Sequence, residues 1–382
     1  MKRCAFLLSL WALACGVWSE AVAIGPGRHP SLVRDAQGRL YVAYENRGDI
    51  VLRSSDDAGQ TWCDPREVCK TEAPSQAPCL QVESDGSLDV VWQEGKDICF
   101  SRSPQGIGPF SAPLNLSQAP GQAQEPALAC GPEDALHVVW IDDRPNPKSP
   151  DVYYSYSLNR AQSWTVPANL SRTPGVCSRP SLGVSGDRML HVAWLDTTSG
   201  ETRPDVFAVH GSQDSFSRPE NVSNTPGLSQ SPQVVVTPRG RVYLVWADNS
   251  RTKQVWDIYG AHSDDGGLFT QPRFFDTPGD SLDPSLTAEG ENRIALVWSD
   301  ASANRQAPDI FLAQSMDGAT THTLPKNISR TAGVSRFPKA AIVQDQIVVI
   351  WEELEKDSYA LKVAREPVAR KPGRPNVSGG KY

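Results

Sequence analysis

The sequence lacks the patterns that mark several common classes of protein. Beyond an apolar run at the N-terminus, no segment has the roughly 18 apolar residues that a membrane-spanning helix needs. The 382-residue chain has a formal charge of −7 and shows no basic face, which argues against nucleic acid as a partner. It has no phosphate-binding glycine loop, no G-x-S-x-G, no H-E-x-x-H and no C-x-x-C. The six histidines do not cluster, so neither a metal nor another cofactor is expected.

The N-terminus has the pattern of a signal peptide. Lys2 and Arg3 precede an apolar run, Cys4–Trp18, and Ala21–Ala23 supplies a small-x-small cleavage site. We therefore expect residues 1–23 to be removed and the protein to be secreted or periplasmic. Cys15, which ends an Ala-Leu-Ala-Cys stretch, offers an alternative as a bacterial lipoprotein anchor.

Cysteine is confined to the first half of the chain. Cleavage would leave six of the eight cysteines, and an even number in an exported protein permits disulfides in any of 15 connectivities. These six are Cys63, Cys69, Cys79, Cys99, Cys130 and Cys177.

What the sequence does contain is an internal repeat of roughly fifty residues. Each copy has a proline that opens a strand: Pro30, Pro78, Pro126, Pro180, Pro232, Pro284 and Pro338. About fourteen residues later each copy has an aromatic residue: Tyr44, Trp92, Trp140, Trp194, Trp246, Trp298 and Trp351. The copies begin near residues 28, 76, 124, 178, 230, 282 and 336.

Each copy contains four short strands. The aromatic residue ends an alternating strand such as LHVVW, an Asp followed by a β-branched residue opens the next, and a fourth strand close to P-x-N-L-S ends in a turn such as T-P-G. Four antiparallel strands repeated seven times predict an all-β, seven-bladed β-propeller over residues 24–366.

The closure of the last copy is open at this stage. Its fourth strand is not recognisable, and a strand from the N-terminus would match the register only near Ser19, inside the expected signal peptide. The alternative is that Pro367–Arg370 supplies it. Residues 367–382 otherwise have the composition of a disordered basic tail.

Between its third and fourth strands the first copy reads Ser55-x-Asp57-x-Gly59-x-Thr61-Trp62, which resembles the Asp-box of sialidases and related propellers. Such a motif is structural, because Ser and Asp cap backbone N–H groups in a tight turn. The stretch GRHPSLVRDAQGRLYVAYENRGD also resembles the opening blade of a sialidase. That resemblance implies that Arg28 and Arg47 are two of three arginines that grip a sialic acid carboxylate.

The catalytic part of the resemblance is incomplete. Phe337 stands where sialidases have the nucleophilic Tyr, and Asp49 is the strand-opening Asp of the repeat rather than a free general acid. Glu352 and Glu353 are present, but without the Tyr they do not make a nucleophile. Sialidases have six blades, so a six-bladed propeller is the alternative fold, and no catalytic residue is assigned.

Residues that the repeat does not explain are the candidates for ligand binding. Loops between the second and third strands are longer in copies three to six, and longer loops on one rim favour recognition there. Most copies also have an acidic residue two places after the aromatic residue, and we expect it at the same face. Because this acid repeats, a structural cap is the more common role for it. The candidates are Arg28, Arg47, Asp142, Arg144, Arg179, Asp196, Asp248, Trp256, Asp300 and Arg336.

Three functions are compatible with these patterns. The favoured one is an exported, monomeric, non-catalytic propeller that binds a glycan or another exported protein on its long-loop face. The alternatives are a glycoside hydrolase of the exo-sialidase type, with Asp142, Asp143 and Tyr359 as remote catalytic candidates, and a scaffold or assembly factor.

Overall fold

The chain folds as a ring of seven sheets. The computed structural model describes residues 21–369, apart from 72, 107, 119, 201, 268, 272 and 276–278. The expected leader up to residue 20, Cys15 within it, and the tail from residue 370 lie outside the described residues. Within the described part, six sheets have four strands and the seventh has a fifth short strand. The prediction of seven antiparallel blades is confirmed, and the six-bladed alternative is wrong.

The strands of the first three blades, with the N-terminal strand before them, are β1 (Val22–Pro26), β2 (Arg28–Arg34), β3 (Leu40–Asn46), β4 (Asp49–Ser55), β5 (Arg66–Cys69), β6 (Ser75–Val82), β7 (Leu88–Glu94), β8 (Asp97–Ser103), β9 (Leu114–Asn115), β10 (Ala123–Cys130), β11 (Leu136–Asp142), β12 (Asp151–Ser157) and β13 (Ala168–Asn169). Those of the last four blades are β14 (Cys177–Val184), β15 (Leu190–Asp196), β16 (Asp205–Ser212), β17 (Ser215–Phe216), β18 (Glu220–Asn221), β19 (Ser229–Val236), β20 (Val242–Asp248), β21 (Asp257–Ser263), β22 (Arg273–Phe275), β23 (Ser281–Glu289), β24 (Arg293–Asp300), β25 (Asp309–Ser315), β26 (Lys326–Asn327), β27 (Val334–Val343), β28 (Gln346–Glu355) and β29 (Ser358–Pro367). Two 3-10 turns, Pro104–Gly106 and Pro132–Asp134, are the only helical elements described.

The first strand of each blade is the innermost. β2 packs against β6, β6 against β10, and so on round the ring until β27 returns to β2. The apolar core therefore lies between neighbouring blades rather than at one centre. One such layer joins the last blade to the first through Val348, Ile350 and Leu361 on one side and Leu40 and Val42 on the other.

The N-terminal strand completes the last blade. β1 pairs antiparallel with β29, with Val22 opposite Val363 and Pro26 opposite Ala360. Both sequence-based expectations for closure, near Ser19 and at 367–370, are therefore wrong in position. The pairing strand begins at Val22, three residues after the position that the repeat register suggested, and it contains a bulge between Ala23 and Gly25. β1 also spans the expected cleavage after residue 23, which would remove two of its four paired residues.

A bulge recurs at the start of every innermost strand. In the first blade the register with β3 shifts between Arg28 and Ser31, and the residue before the proline, His29, has a φ of 52°. A bulge of this kind redirects a side chain and ends regular pairing. The same left-handed residue occurs before the proline of each blade, as a ring of seven: His29, Ala77, Glu125, Arg179, Ser231, Asp283 and Phe337.

The second strand of each blade is almost wholly buried. Its aromatic residue is at most 1% exposed in every blade, which explains why that position repeats. Burying a ring of this size removes roughly 150–250 Å² from water, a large apolar contribution for a single side chain.

The connections between third and fourth strands form hydrogen-bonded turns at the opposite end of the blades from His29. In the first blade Gly59 N–H donates to Ser55 Oγ at 2.9 Å, and Thr61 N–H donates to Asp57 Oδ1 at 2.8 Å. Corresponding turns form around Asp265 and Asp317. Ser and Asp thus act there as backbone caps, in agreement with a structural role for the motif.

Two further observations concern the expectations from composition. The six cysteines are free thiols, so the disulfides that their number permits are absent from the described residues. Within the same part of the chain, no helix is long and apolar enough to cross a membrane.

Candidate functional site

A pocket lies between the first and last blades, at the start of their innermost strands. Its volume is about 260 Å³. It is lined by Arg28, His29, Val334, Arg336, Phe337, Glu352, Leu354 and Tyr359. We refer to the end of the blades that bears it as the pocket face.

Arg28 and His29 are held in place by one buried carboxylate. Arg28 Nη2 donates to Glu45 Oε1 at 2.7 Å, and His29 Nδ1 lies 3.4 Å from Glu45 Oε2. Burial tends to raise the pKa of Glu45, but the hydrogen bonds from His29 and Arg28 outweigh it and lower that pKa. Glu45 is 5% exposed, whereas the Arg28 side chain is 41% exposed. Glu45 therefore orients the arginine from the buried side, and the exposed part of the guanidinium remains accessible to a ligand.

The glycine before Arg28 is required by a close approach. A Cβ at Gly27 would lie 2.4 Å from Cδ2 of Tyr44, which is well inside contact distance. Gly27 N–H also donates to the carbonyl oxygen of Tyr359 at 3.2 Å, which ties the first blade to the last. Gly27 thus packs against the Tyr44 ring and binds the last blade, and the following Arg28 lies over the Tyr359 ring.

Glu352 supplies a second carboxylate to the pocket. It lies on β28, is 5% exposed, and its Oε2 accepts a hydrogen bond from the backbone N–H of His29 at 2.9 Å. Burial raises the pKa of Glu352, against the opposing effect of that hydrogen bond and of the charges of His29 and Arg28. A carboxyl group with a raised pKa beside an ionised one is the usual arrangement of an acid–base site.

Aromatic residues form the wall of the pocket. The Phe337 ring lies 5.4 Å from that of His29, and the Tyr359 ring lies 5.7 Å from Cζ of Arg28. Phe337 lies where the family resemblance implied a tyrosine, and it cannot act as a nucleophile. Tyr359, which the sequence suggested only as a remote candidate, lies in the same pocket and is 38% exposed.

The second predicted arginine of the first blade lies outside this pocket. Arg47 occupies the turn between β3 and β4 with a φ of 56°, and its side chain is exposed. It is on the pocket face but not among the residues that line the cavity. Arg336 does line it, so the structure joins Arg28 with Arg336 rather than with Arg47.

The repeated acids are buried caps. Asp142, Asp196, Asp248 and Asp300 are each 0% exposed. Each accepts a hydrogen bond from the indole Nε1–H of the tryptophan two residues earlier, at 2.9, 2.9, 3.3 and 3.0 Å respectively. Their remaining acceptor sites are occupied by hydroxyl, backbone or arginine donors of adjoining loops. This geometry favours a role as structural caps, rather than as ligand-binding residues, for all four aspartates.

Arg144 and Trp256 are also engaged within the protein. Arg144 Nη2 donates to Asp142 Oδ2 at 2.6 Å and to the Ser117 carbonyl at 2.7 Å, and its guanidinium lies 4.6 Å from the Tyr153 ring centroid. Trp256 packs against the core layer between the fifth and sixth blades. Neither residue lines the pocket.

Arg179 belongs to the bulge ring. Its backbone N–H donates to Glu125 Oε2 at 2.6 Å, and its side chain is exposed. Within the described residues, no group of three or more His, Cys, Asp or Glu side chains is arranged to hold a metal ion. A larger cavity of about 670 Å³ lies at the opposite end of the blades, against Glu289, Asp345 and Pro367, and contains none of the predicted site residues.

Sequence reasoning missed His29, although it had named two equivalents of that position, Arg179 as a candidate and Phe337 as the replacement of the expected tyrosine. His29 and Phe337 both reach the pocket from that position, and the repeat itself marks it. Glu45 had no comparable signal, because it enters the site from the neighbouring strand through its hydrogen bond to Arg28.

No protein-family model and no sequence of a characterised protein matches the chain. Among solved structures it is similar to an ulvan lyase of the polysaccharide lyase family PL25, with a TM-score of 0.62 and 12% identity over 91% of this chain and 94% of that one. It is also similar to an α-L-arabinofuranosidase from Fusarium graminearum, with a TM-score of 0.52 and 10% identity over 92% and 98%. It is similar as well to an α-L-arabinanase from Penicillium chrysogenum, with a TM-score of 0.53 and 12% identity over 92% of this chain and 99% of that one. At these identities the likeness establishes the fold, a β-propeller shared with enzymes that process glycans.

Proposed function

We propose that this chain is a glycoside hydrolase that binds an anionic sugar in the pocket between the first and last blades. The observation that carries the proposal is the convergence of Arg28, Arg336, Glu352 and Tyr359 in one pocket. The composition of this pocket supplies cations for a carboxylate, an acid for proton transfer and an exposed ring for a sugar face.

The sequence favoured a non-catalytic protein, chiefly because Phe337 replaces the expected tyrosine. Two facts now support the hydrolase alternative. The similar structures with named activities are glycan-processing enzymes. Moreover, the pocket contains a buried carboxyl with a raised pKa, Glu352, and a hydroxyl-bearing ring, Tyr359. Hydrolysis does not depend on Phe337 if these groups act on the substrate.

The pocket is compatible with a sugar that carries a carboxylate. Arg28 is held by Glu45 but keeps exposed guanidinium surface, and Arg336 is exposed. A planar guanidinium binds a carboxylate through two parallel hydrogen bonds, which fixes the orientation of the sugar as well as its charge. The expected export of the protein would give it access to such glycans.

The experiment is a panel of 4-methylumbelliferyl glycosides, comprising a sialoside, a glucuronide and a galacturonide beside an α-L-arabinofuranoside and a glucoside. We expect turnover of a carboxylated member and its loss in Arg28→Ala. Arg47→Ala is the matched control, because Arg47 is an exposed arginine of the same blade that lies outside the pocket.

Three outcomes would contradict the proposal. Binding of a glycan without turnover would restore the non-catalytic interpretation. An unsaturated, ultraviolet-absorbing product would show elimination instead of hydrolysis. An equal loss of turnover in Arg28→Ala and Arg47→Ala would show that the activity does not depend on this pocket.

A further inference from the structure

The imidazole of His29 is the accessible member of a group of three titratable side chains at the pocket. Its side chain is 34% exposed and lines the cavity, whereas Glu45 and Glu352 are each 5% exposed. Nδ1 of His29 lies 3.4 Å from Glu45 Oε2, and the backbone N–H of the same residue donates to Glu352 Oε2 at 2.9 Å. Of these three groups, the imidazole is therefore the one that a ligand can reach.

The two ring nitrogens of His29 have different surroundings. Nδ1 is in contact with Glu45, an ionised carboxylate that can only accept a hydrogen bond, so Nδ1 carries a proton. Within the part of the chain that the structure describes, Nε2 has no hydrogen-bond partner. In the neutral ring Nε2 is a bare acceptor, and in the imidazolium it is an N–H donor. Protonation of His29 thus converts a nitrogen that repels a carboxylate into one that binds it.

The charges around His29 make that change important for an anionic ligand. The arginines are Arg28 and Arg336, and the carboxyl groups are Glu45 and Glu352. When both carboxyl groups are ionised these charges cancel, so a neutral His29 leaves the pocket without net charge. A sugar carboxylate is stabilised more by a pocket that carries an additional cation.

The strands packed against His29 supply groups of both signs. β6, which packs beside β2, has no charged residue. The carboxylates favour the imidazolium, and the arginines oppose it. The charged and titratable groups on the other strands at the pocket are Arg28 from β2, Glu45 from β3, Arg336 from β27, Glu352 from β28 and Tyr359 from β29.

We infer that His29 is a specificity-determining residue of this pocket, which in its protonated form donates a hydrogen bond from Nε2 to the carboxylate of the sugar. This inference rests on the proposed binding of an anionic sugar. Because the imidazolium binds the carboxylate and the neutral ring does not, binding near neutral pH is accompanied by uptake of a proton from solvent. Affinity for the carboxylated sugar is therefore highest at acidic pH and falls as the imidazolium loses its proton. A neutral sugar shows neither effect.

The test is calorimetric titration of the protein with methyl thioglycosides of sialic acid, glucuronic acid and galacturonic acid, and with a methyl thioglucoside as the neutral ligand. Sulfur in place of the glycosidic oxygen slows hydrolysis, so binding is measured without turnover. Titrations in two buffers of different ionisation enthalpy give the number of protons taken up. For the wild type we expect proton uptake near neutral pH, and an affinity for an acidic ligand about 10-fold lower at pH 7.5 than at pH 5.5.

Two substitutions use side chains that the fold already accepts at the equivalent position. Ala77 and Arg179 occupy it in the second and fourth blades, each with a φ of 50°. His29→Ala removes the cation, so affinity at pH 5.5 should fall about 10-fold and proton uptake should disappear. His29→Arg carries a permanent charge, so it should bind as tightly at pH 7.5 as at pH 5.5, without uptake. The matched control is His210→Ala, at a half-buried histidine outside the pocket, which should titrate like the wild type.

Glu352 is the other group whose protonation could accompany binding of an anion. Proton uptake that persists in His29→Ala but disappears in Glu352→Gln would assign the proton to Glu352 and overturn the role of His29. Equal wild-type affinity at the two pH values would overturn that role as well, while leaving a site for an anionic sugar in place. A protein that binds none of the three acidic thioglycosides would refute the proposed function and this inference together.

Discussion

Replacement of Asp196 by alanine should destabilise the fold rather than weaken a ligand. The carboxylate is 0% exposed and accepts hydrogen bonds from Trp194 Nε1 at 2.9 Å, Thr173 Oγ1 at 2.6 Å and the Thr198 backbone N–H at 2.8 Å. Alanine would leave the buried indole N–H of Trp194 without an acceptor, whereas the N–H of Thr198, an exposed residue, can bind water instead.

The magnitude follows from the buried indole donor. A buried donor that loses its partner costs about 1–3 kcal/mol, so the free energy of unfolding should fall by about 1–3 kcal/mol. Asp196→Asn keeps one acceptor oxygen, so this substitution should lower the free energy of unfolding by about half as much. Urea unfolding measures this as a lower midpoint at unchanged slope.

Asp345→Ala serves as the control, because that side chain is 90% exposed and should change stability by less than about 0.5 kcal/mol. If Asp196→Ala unfolded at the wild-type urea concentration and yet lost glycan binding, the interpretation of the repeated acid as a cap would be wrong.

Three other predictions concern the histidines, the N-terminal strand and Gly27. Burial lowers the pKa of His137 and of His191 to about 4, so both histidines bind protons more readily in the unfolded chain. Their contribution to the free energy of unfolding is fully present above about pH 6.5. It is lost as the pH falls towards 4, by up to about 3 kcal/mol for each histidine. Replacing both histidines by glutamine should flatten that part of the pH–stability curve, and an unchanged slope would count against the assignment. A chain that begins at residue 27 lacks Val22–Pro26 and leaves β29 as an open edge, so it should unfold earlier and aggregate more than a chain that begins at residue 21, as followed by light scattering during urea unfolding. Gly27→Ala places a Cβ against the Tyr44 ring and should reduce glycan affinity by displacing Arg28; affinity equal to wild type would show that the turn can relax.

The repeat determined the number and order of the blades. Its prolines, aromatic residues and strand-opening aspartates recur because every blade buries the same face against its neighbour, so a periodic sequence specifies a periodic structure. The role of the repeated acids as caps was also accessible, since Asp142 and its equivalents follow the buried tryptophan at a fixed interval.

The site depended on pairings that no periodicity encodes. Glu45 holds Arg28 across two strands, and Glu352 and Tyr359 come from the other end of the chain, more than 300 residues away. Closure by β1 likewise depended on pairing between the two ends of the chain, which strand alternation alone does not show. The sequence by itself thus determined which surfaces are buried, because burial follows the local pattern. Only the closed ring decided which exposed residues meet, because it brings the first and last blades together.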